Sequence, residues 1–526
     1  DTVDQDCDSV VDEMSAEGVL QYPDSDGDGF GGGIGVTSCA PLPGHALRRS
    51  DCDDADATRF PGADERCNAV DDDCDGNTDE APAGYLDCEP DSTNATPVCT
   101  VGVCGYGACL PGYADCDGVV ANGCESDLAT DPRHCGGCDQ SCGPGGSCTG
   151  STCDRVPVTS VATTAGVGCA VRSGQVFCWG DERRTGTVGG RGDGELQAGI
   201  LRAPSPDHPA VGLTDAVAVV SGDFHFCALR ATGEAVCWGS GGSGQLGDGA
   251  GTTRFVPVPV QGGHIFEQIA ASTSQTCGRT AAGDLLCWGN ATNRSALLTP
   301  TPMLRADGGS ADAIDLAVGR DHVCVVDSTR RVYCLGWTAT AVGQSGGIDF
   351  DDLVGPIVDG SDMPLENVST IEAGGDTTCA VVDGGQVWCW GSNASGQLGD
   401  GTYGNRPNAA PVMGVSDATD LFLGRGISCA IRTTGAVLCW GRNSSMVLGD
   451  PAFTESSSPL PRGVPGLAAV TEGSGFVRTN SGFLSAICAA AADGVACWGP
   501  GSDGRSGDGT TDTSNRAPPV RVLGFP

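Results

Sequence analysis

From about residue 156 onward, short apolar stretches alternate with glycine-rich breaks. In CALRATGEAVCWG, residues 227–239, two such stretches flank Ala231-Thr232-Gly233. A three-residue hairpin loop needs a left-handed residue at its third position, and Gly233 supplies it. Gly283, Gly385 and Gly435 take the same place in three further copies. A Pro/Val stretch such as PVPV (257–260) follows each hairpin, and a stretch ending in small residues, as in IEAGGDTTCAV (371–381), precedes it. The pattern therefore predicts four short strands per copy rather than helices.

Cysteines mark the copies. After residue 155 there are seven pairs: Cys169 with Cys178, Cys227 with Cys237, Cys277 with Cys287, Cys324 with Cys334, Cys379 with Cys389, Cys429 with Cys439, and Cys488 with Cys497. Each pair is equidistant from the centre of its hairpin, so its members face each other across two antiparallel strands, at a separation a disulfide can span. The pairs spaced by nine residues fit a two-residue turn such as Ser173-Gly174. Successive pairs recur every 47–59 residues, a period near that of propeller blades. Four short strands per copy, seven times over, would fill one closed ring with only short sheet edges.

Composition narrows the class. The 526 residues include 84 glycines, 30 prolines and 30 cysteines, with 5% aromatics. No apolar run approaches the ~20 residues of a membrane-spanning helix. So many paired cysteines point to an oxidising, extracytoplasmic compartment; paired CxxC zinc knuckles are absent from the sequence. Residues 1–155 hold 32 acids and 6 bases (−26), leaving −13 of the net charge of −39 for the remainder. Such a surface repels nucleic acid. Since the chain starts at Asp1, a processed or trimmed N-terminus is expected.

GDFHFCALRATGEAVCWGSGGSGQLGDG (222–249) and GDTTCAVVDGGQVWCWGSNASGQLGDG (375–401) resemble the regulator-of-chromosome-condensation repeat family. The resemblance covers residues ~156–526. It implies an all-β fold, a seven-bladed β-propeller with one hairpin disulfide per blade. Asn290–Leu298 lacks the GQLGDG loop and CLGW (334–337) displaces the tryptophan, so those blades should have irregular edges. The repeated tryptophans Trp179, Trp238, Trp288, Trp390, Trp440 and Trp498 are expected between blades.

The acidic first part carries a different chemistry. Residues 22–30 read YPDSDGDGF, placing Asp24, Asp26 and Asp28, Gly29 and the Phe30 carbonyl at positions 1, 3, 5, 6 and 7 of a calcium loop. The position-12 glutamate of an EF-hand is missing, so Asp51, Asp53, Asp54 and Asp56 are the expected completing donors. In 70–80, VDDDCDGNTDE, the spacing repeats with Asp71, Asp73, Asp75, Gly76, the Asn77 carbonyl and Asp79, with Glu80 as a substitute or addition. Hard oxygen ligands of this kind suit Ca2+. The competing reading is a hydrated acidic loop. Residues 22–80 resemble a metal-binding-motif family of bacterial secreted proteins, thought to bind calcium, with some relatives linked to copper. Copper would want histidine, methionine or thiolate, and it is disfavoured because His45 is the region's only histidine and Met14 its only methionine. Residues 112–142 resemble modules of myxobacterial surface proteins.

Residues 3–13 repeat 70–80 at an offset of 67, aligning Cys7 with Cys74. The expected pairings are Cys67 with Cys74 and Cys39 with Cys52. The natural partner of Cys7 would then lie upstream, unless one of the eleven cysteines of 81–154 takes it. Three regions follow: 1–80, a calcium-binding module with little regular secondary structure whose first 13 residues end a preceding repeat; 81–154, a cysteine-rich disulfide module; and 155–526, the propeller.

No catalytic motif stands out, so an enzyme is not expected. His225 and His322 occupy equivalent repeat positions, which structural repetition explains better than metal binding. Arg191-Gly192-Asp193 offers a weak adhesion hint. The leading expectation is a secreted or cell-surface binding protein whose calcium- and disulfide-stabilised stalk presents a propeller to a protein or glycan partner. A structural subunit of an extracellular filament, by self-assembly, is the alternative, and an extracellular enzyme or enzyme inhibitor the third.

Overall fold

The computed structural model describes residues 18–79, 94–119, 123–138, 142, 147–154, 157–164, 166–180, 191–193, 209–290, 296–336, 350–474, 486–491, 494–501, 506–509 and 514–522. The chain divides into two compact units. One comprises residues 1–140 with 148–152, and the other 141–147 with 153–526.

In the second unit the alternating pattern becomes seven successive antiparallel sheets among the described residues. Six have four strands in sequence order; the first has three, Val158–Thr163, Val167–Arg172 and Gln175–Gly180. An isolated bridge from Phe177 to Pro209 stands where its fourth strand would pair.

Each expected hairpin pair is in direct register on the two middle strands of its sheet, as Cys227 is opposite Cys237. All seven are bonded, with Cα atoms 4.0–4.1 Å apart. Cys169 joins Cys178, Cys277 joins Cys287 and Cys324 joins Cys334. Cys379 joins Cys389, Cys429 joins Cys439 and Cys488 joins Cys497. The separation is that of the close, non-hydrogen-bonded pairing of an antiparallel ladder. Gly233 closes its hairpin at φ +82°, and the Ser173-Gly174 turn has φ of +52° and +77°. In the fourth sheet Arg330 takes the glycine's place at φ +62°. Its guanidinium donates to the Val368 carbonyl and pairs with Asp383, which holds the left-handed conformation in place.

The first strand of every sheet packs against the first strand of the next, and the seventh meets the first. These strands wall a central channel. The fully buried tryptophans sit between sheets. Trp288 Nε1 donates to the Gln245 carbonyl, Trp440 Nε1 to Gln397 and Trp498 Nε1 to Val447, each in the GQLGDG-type loop of the preceding repeat. The glycine of that loop must stay small: a Cβ on Gly399 would lie 2.7 Å from Trp440. Gly507 of the last repeat packs in the same way on Trp179 of the first, where a Cβ would lie 3.0 Å away. The ring thus closes through packing and through Ser160 Oγ donating to Glu472, 2.9 Å. Strand Asn515–Arg521 completes the seventh sheet without exchanging strands with the first.

The first unit is built from short pieces. Val19–Pro23 pairs with Val36–Ser38 and His45–Ala46, while Phe30–Gly31 runs parallel to Arg48–Arg49. Disulfides hold these pieces, and here the expected pairing is corrected. Cys52 is bonded to Cys74, and Cys67 to Cys99; Cys39 is disulfide-bonded, but not to Cys52. A seven-residue link between Cys67 and Cys74 is not formed because Asp71–Asn77 is already a closed loop, with Cys74 at its φ +59° position facing Cys52. The Cys67–Cys99 bond also crosses the boundary drawn at residue 80, so residues 67–79 and 94–109 share one framework. Cys109–Cys124, Cys116–Cys138 and Cys135–Cys148 continue it. Residues 3–13 with Cys7, Met14 and Glu80 lie outside the described residues.

Candidate functional site

The two aspartate loops fold by closely similar internal wiring, differing in whether the fourth or the fifth amide reaches the first aspartate. Asp24 accepts from the Gly27 and Gly29 amides, Asp26 from Asp28, and Asp28 from Phe30. In the second loop Asp71 accepts from the Asp75 and Gly76 amides, Asp73 from Asp75, and Asp75 from Asn77. The sixth-position glycines have φ of +94° and +99°, and the fourth positions, Gly27 and Cys74, are also left-handed. Positive φ at two places curls the chain so that alternate carboxylates converge. Asp24, Asp26 and Asp28 bring one oxygen each within 4.8 Å of one another, as do Asp71, Asp73 and Glu65.

The convergence leaves oxygens without partners. Asp26 Oδ2, Asp28 Oδ2 and Asp51 Oδ2 are buried atoms that receive no hydrogen bond. Burial raises the Asp51 pKa, and the nearby charges of Asp28, Asp26 and Asp54 add to the effect. A cation would relieve both. The remaining acids of the DCDDAD run are engaged elsewhere. Asp53 pairs with Arg59, Asp54 accepts from the Ser25 hydroxyl and amide, and Asp56 from the Thr58 hydroxyl and amide. Of the four expected donors from this run, only Asp51 presents an unpartnered buried oxygen.

Asp79 also departs from its expected place as a ninth-position ligand. It is buried and accepts from the amides of Asn68, Ala69 and Gly102. Burial alone would raise its pKa, but the three amides outweigh it and the net shift is downward. Glu65, not Asp79, converges with Asp71 and Asp73, although its oxygens too accept amides, Oε1 from Asp72 and Asp73 and Oε2 from Asp79. Glu65 precedes the loop and belongs to no ligand spacing, so sequence reasoning passed over it. A third convergence, Asp115, Asp117 and Glu125, was also missed. There Gly118 donates to Asp115, Val119 to Asp117, and Cys116 to Glu125. The DCDG stretch at 115–118 carried that signal. His45 joins none of these groups among the described residues.

In the propeller unit the singled-out residues are structural. His225 Nε2 donates to Thr276 Oγ1, which donates to the Gln245 carbonyl, bonding one sheet to the next. His322 Nε2 meets Thr378 Oγ1 in the same way. Burial depresses the two imidazole pKa values to about 3 and about 4. The side chains of the RGD arginine and aspartate are 4% and 8% exposed and pair with each other at 3.4 Å, so this tripeptide is not displayed for adhesion.

The geometry defines a class: a disulfide-stapled β-propeller unit accompanied by carboxylate loops of metal-binding pattern. The chain carries regulator of chromosome condensation (RCC1) repeats, with residues 216–245, 368–397 and 418–445 matching one repeat model and 384–431 a second. Residues 1–13 and 51–80 match a family described as "Putative metal-binding motif". The chain is similar to the ultraviolet-B receptor UVR8 of Arabidopsis thaliana, 29% identical over 206 residues, 37% of this chain and 45% of that one. It is 26% identical over 366 residues to the E3 ubiquitin-protein ligase HERC2 of Homo sapiens, covering 67% of this chain and 7% of the ligase. The chain thus spans under half the length of either relative. Among solved structures, Prp20p of Saccharomyces cerevisiae shares the fold, with TM-score 0.55 and 18% identity over 70% of this chain and 86% of that one. Human WBSCR16 does so at TM-score 0.51 and 16% identity, covering 60% and 84%.

Proposed function

We propose that this chain is an extracytoplasmic binding protein whose calcium-held, disulfide-framed first unit accompanies a propeller that receives a protein or glycan partner. The observation that carries the metal part is the shared wiring of the two aspartate loops, together with the orphaned oxygens of Asp26, Asp28 and Asp51. The donors are carboxylates throughout, with no imidazole or thiolate among them, and that favours Ca2+ over copper. Asp24, Asp26, Asp28 and Asp51 would hold one ion; Glu65, Asp71, Asp73 and Asp75 a second. The cysteines support the compartment, none of them being free among the described residues. The binding role rests on the propeller. Prp20p, which shares this fold, is described with binding properties to Gsp1p and histones, an instance of such a ring receiving proteins.

Elemental analysis of purified protein tests the metal directly, paired with thermal unfolding before and after EDTA. Bound calcium and a melting point that falls on chelation and returns with Ca2+ are expected. Copper restoring it in place of calcium, or no change on chelation, would refute the assignment. For the binding role, pull-down from extracellular material with the full chain should recover a partner. A native material consisting of ordered multimers would favour self-assembly instead.

A further inference from the structure

The channel of the propeller unit has chemistry that packing does not require. Its wall is made by the first strands of the sheets, and a cavity of about 510 Å³ opens within it. That volume lies in the range of about 300–1,000 Å³ typical of small-molecule sites. The apolar groups that reach the cavity are small, Val220, Ala270 and Ala271, while Val161, Val219, Ile269, Leu316, Val318 and Leu423 belong to the cores between sheets. The cavity's lining carries three acids, Asp223, Asp321 and Glu372, and two bases, Arg320 and Arg425. At the rim stand Asp223 and Asp321, on the loops that follow two of the first strands, and Glu372 lines the cavity from within the strand Val368–Gly374. Asp315, Asp420 and Glu472 occupy a common position, the third residue, of their respective first strands. Their charges reach Glu372 and, in part, one another.

Both bases act on Asp223, and together with Asp315, Asp420 and Glu472 on the first strands the acids still outnumber them. Arg320 is already paired with Asp321 at 2.6 Å and Asp376 at 3.2 Å. Asp223 is 6% exposed, lines the cavity, and its Oδ1 receives no hydrogen bond. Burial pushes its pKa up to about 7 against the attraction of Arg425 and Arg320. Glu372 accepts the amide of Ala373, and burial, then the Asp420 and Asp315 charges, push its pKa well up. Asp420 and Glu472 are raised to about 6 and about 7, burial being the main cause in each. Asp315 is better satisfied, by Gln268 and the Leu316 and Ile371 amides. Acids held this way favour an occupant that brings positive charge and hydrogen-bond donors.

Among the described residues no three of these carboxylates bring oxygens within 4.8 Å of one another, so a single metal ion would not gather them. Charge spread along the channel suits a long occupant with separated cationic ends. We propose that the channel is a binding site for an extended organic cation, a stem carrying separated ammonium groups, held between Asp223 at the rim and Glu372 within, with Asp420 and Glu472 adding negative charge from the neighbouring first strands. A free polyamine and a lysine side chain of a partner segment share this chemistry. The site belongs to the propeller unit alone and stands whether or not the aspartate loops hold calcium.

Isothermal titration of the full chain, saturated with Ca2+, tests it with three probes at low salt: spermidine, a capped lysine-rich tetrapeptide and glucose. Spermidine binding with one site per chain is expected, and the pair Glu372→Gln with Asp420→Asn should weaken it at least about tenfold. Glu234→Gln, on an outer hairpin, should leave affinity unchanged. These amide replacements keep the side-chain shape, and a retained unfolding transition for each variant separates lost binding from lost folding. Binding of the peptide but not of spermidine assigns the cation to a partner's lysine and supports the site equally. Binding of glucose alone, binding of neither amine, or amine binding that the double variant leaves intact would each overturn the proposal.

Discussion

The closure of the ring can be tested at one glycine. Gly507 sits at φ +65°, and a Cβ there would stand 2.6 Å from Val522 Cγ1 and 3.0 Å from the Trp179 indole. Gly507→Ala therefore incurs two costs. A left-handed alanine costs about 1–2 kcal/mol, and overpacking a filled seam about 1–3 kcal/mol more. Gly466 isolates the first cost: its φ is +79°, but nothing lies within 4 Å of its would-be Cβ. Gly466→Ala should thus destabilise by about 1–2 kcal/mol and Gly507→Ala by about 2–5 kcal/mol. Gly399→Ala presses on Trp440 instead, an internal seam with the same packing. Urea unfolding followed by fluorescence of the buried tryptophans reads the energies. Amide hydrogen exchange reads the place, since Gly507→Ala should speed exchange in Val158–Thr163 and Asn515–Arg521, whereas Gly399→Ala should not. If Gly507→Ala were no worse than Gly466→Ala, or if its exchange changes were spread evenly over the ring, closure by packing on Trp179 would be the wrong account.

Three further outcomes follow from particular contacts. Trp498→Phe should cost about 1 kcal/mol more than Trp440→Phe in the same urea assay, because the Gln397 carbonyl keeps its Ser428 donor while no other described donor reaches the Val447 carbonyl. The pH profile should carry opposing slopes. Asp223, Asp420 and Glu472 have folded pKa values above their unfolded ones, so their contribution is full below about pH 4 and is lost as pH rises through about 6–7; His225 and His322 have depressed values, so theirs is full above about pH 6.5 and is lost as pH falls toward about 4 and 3. Glu472→Gln should consequently raise the melting point at pH 8 relative to the parent and not at pH 4, and equal shifts at both would show that Glu472 does not titrate differently on folding. Asp51→Asn should weaken calcium binding at the first loop by about tenfold in a competition titration, while Asp53→Asn should leave it unchanged and lose only the Arg59 pair.

The propeller was legible because its information is repeated and local. A hairpin with cysteines equidistant from a glycine turn has only one sensible register, and seven copies state it seven times. Even the exception was instructive, since Arg330 keeps the left-handed turn without glycine by anchoring its side chain. The loops were legible in part, for the same reason: alternating aspartates with a sixth-position glycine dictate their own wiring. What spacing could not show is which distant group comes to the loop. Glu65 and Asp51 are chosen by tertiary folding, and Asp53, Asp54, Asp56 and Asp79 are withheld by arginine, serine, threonine and amide partners outside the spacing. The channel acids were invisible for a further reason. Asp315, Asp420 and Glu472 stand in short strands whose sequence gives no sign of one another, and only ring formation brings their charges within reach of Glu372 and, in part, of one another.

The corrected disulfide changes how the two aspartate loops should behave. Cys52 lies between Asp51 and Asp53, and Cys74 between Asp73 and Asp75. Their bond, with Cα atoms 5.6 Å apart, therefore joins the segment that offers Asp51 to the first loop directly to the centre of the second. The Cys52 amide also donates to Cys74 Sγ, at 3.2 Å. An ion that draws Asp51 inward at one loop must fix the neighbouring Cys52, and through it the left-handed Cys74 on which the other loop's curl depends. Two sites joined this way share their ordering cost, so filling one should ease filling the other. Calcium titration of the parent should then show positive cooperativity, and Cys52→Ala with Cys74→Ala should reduce it to independent sites while leaving the propeller's unfolding transition in place. Independent sites in the disulfide-intact parent would refute the coupling, and with it the idea that this bond does more than close a chain.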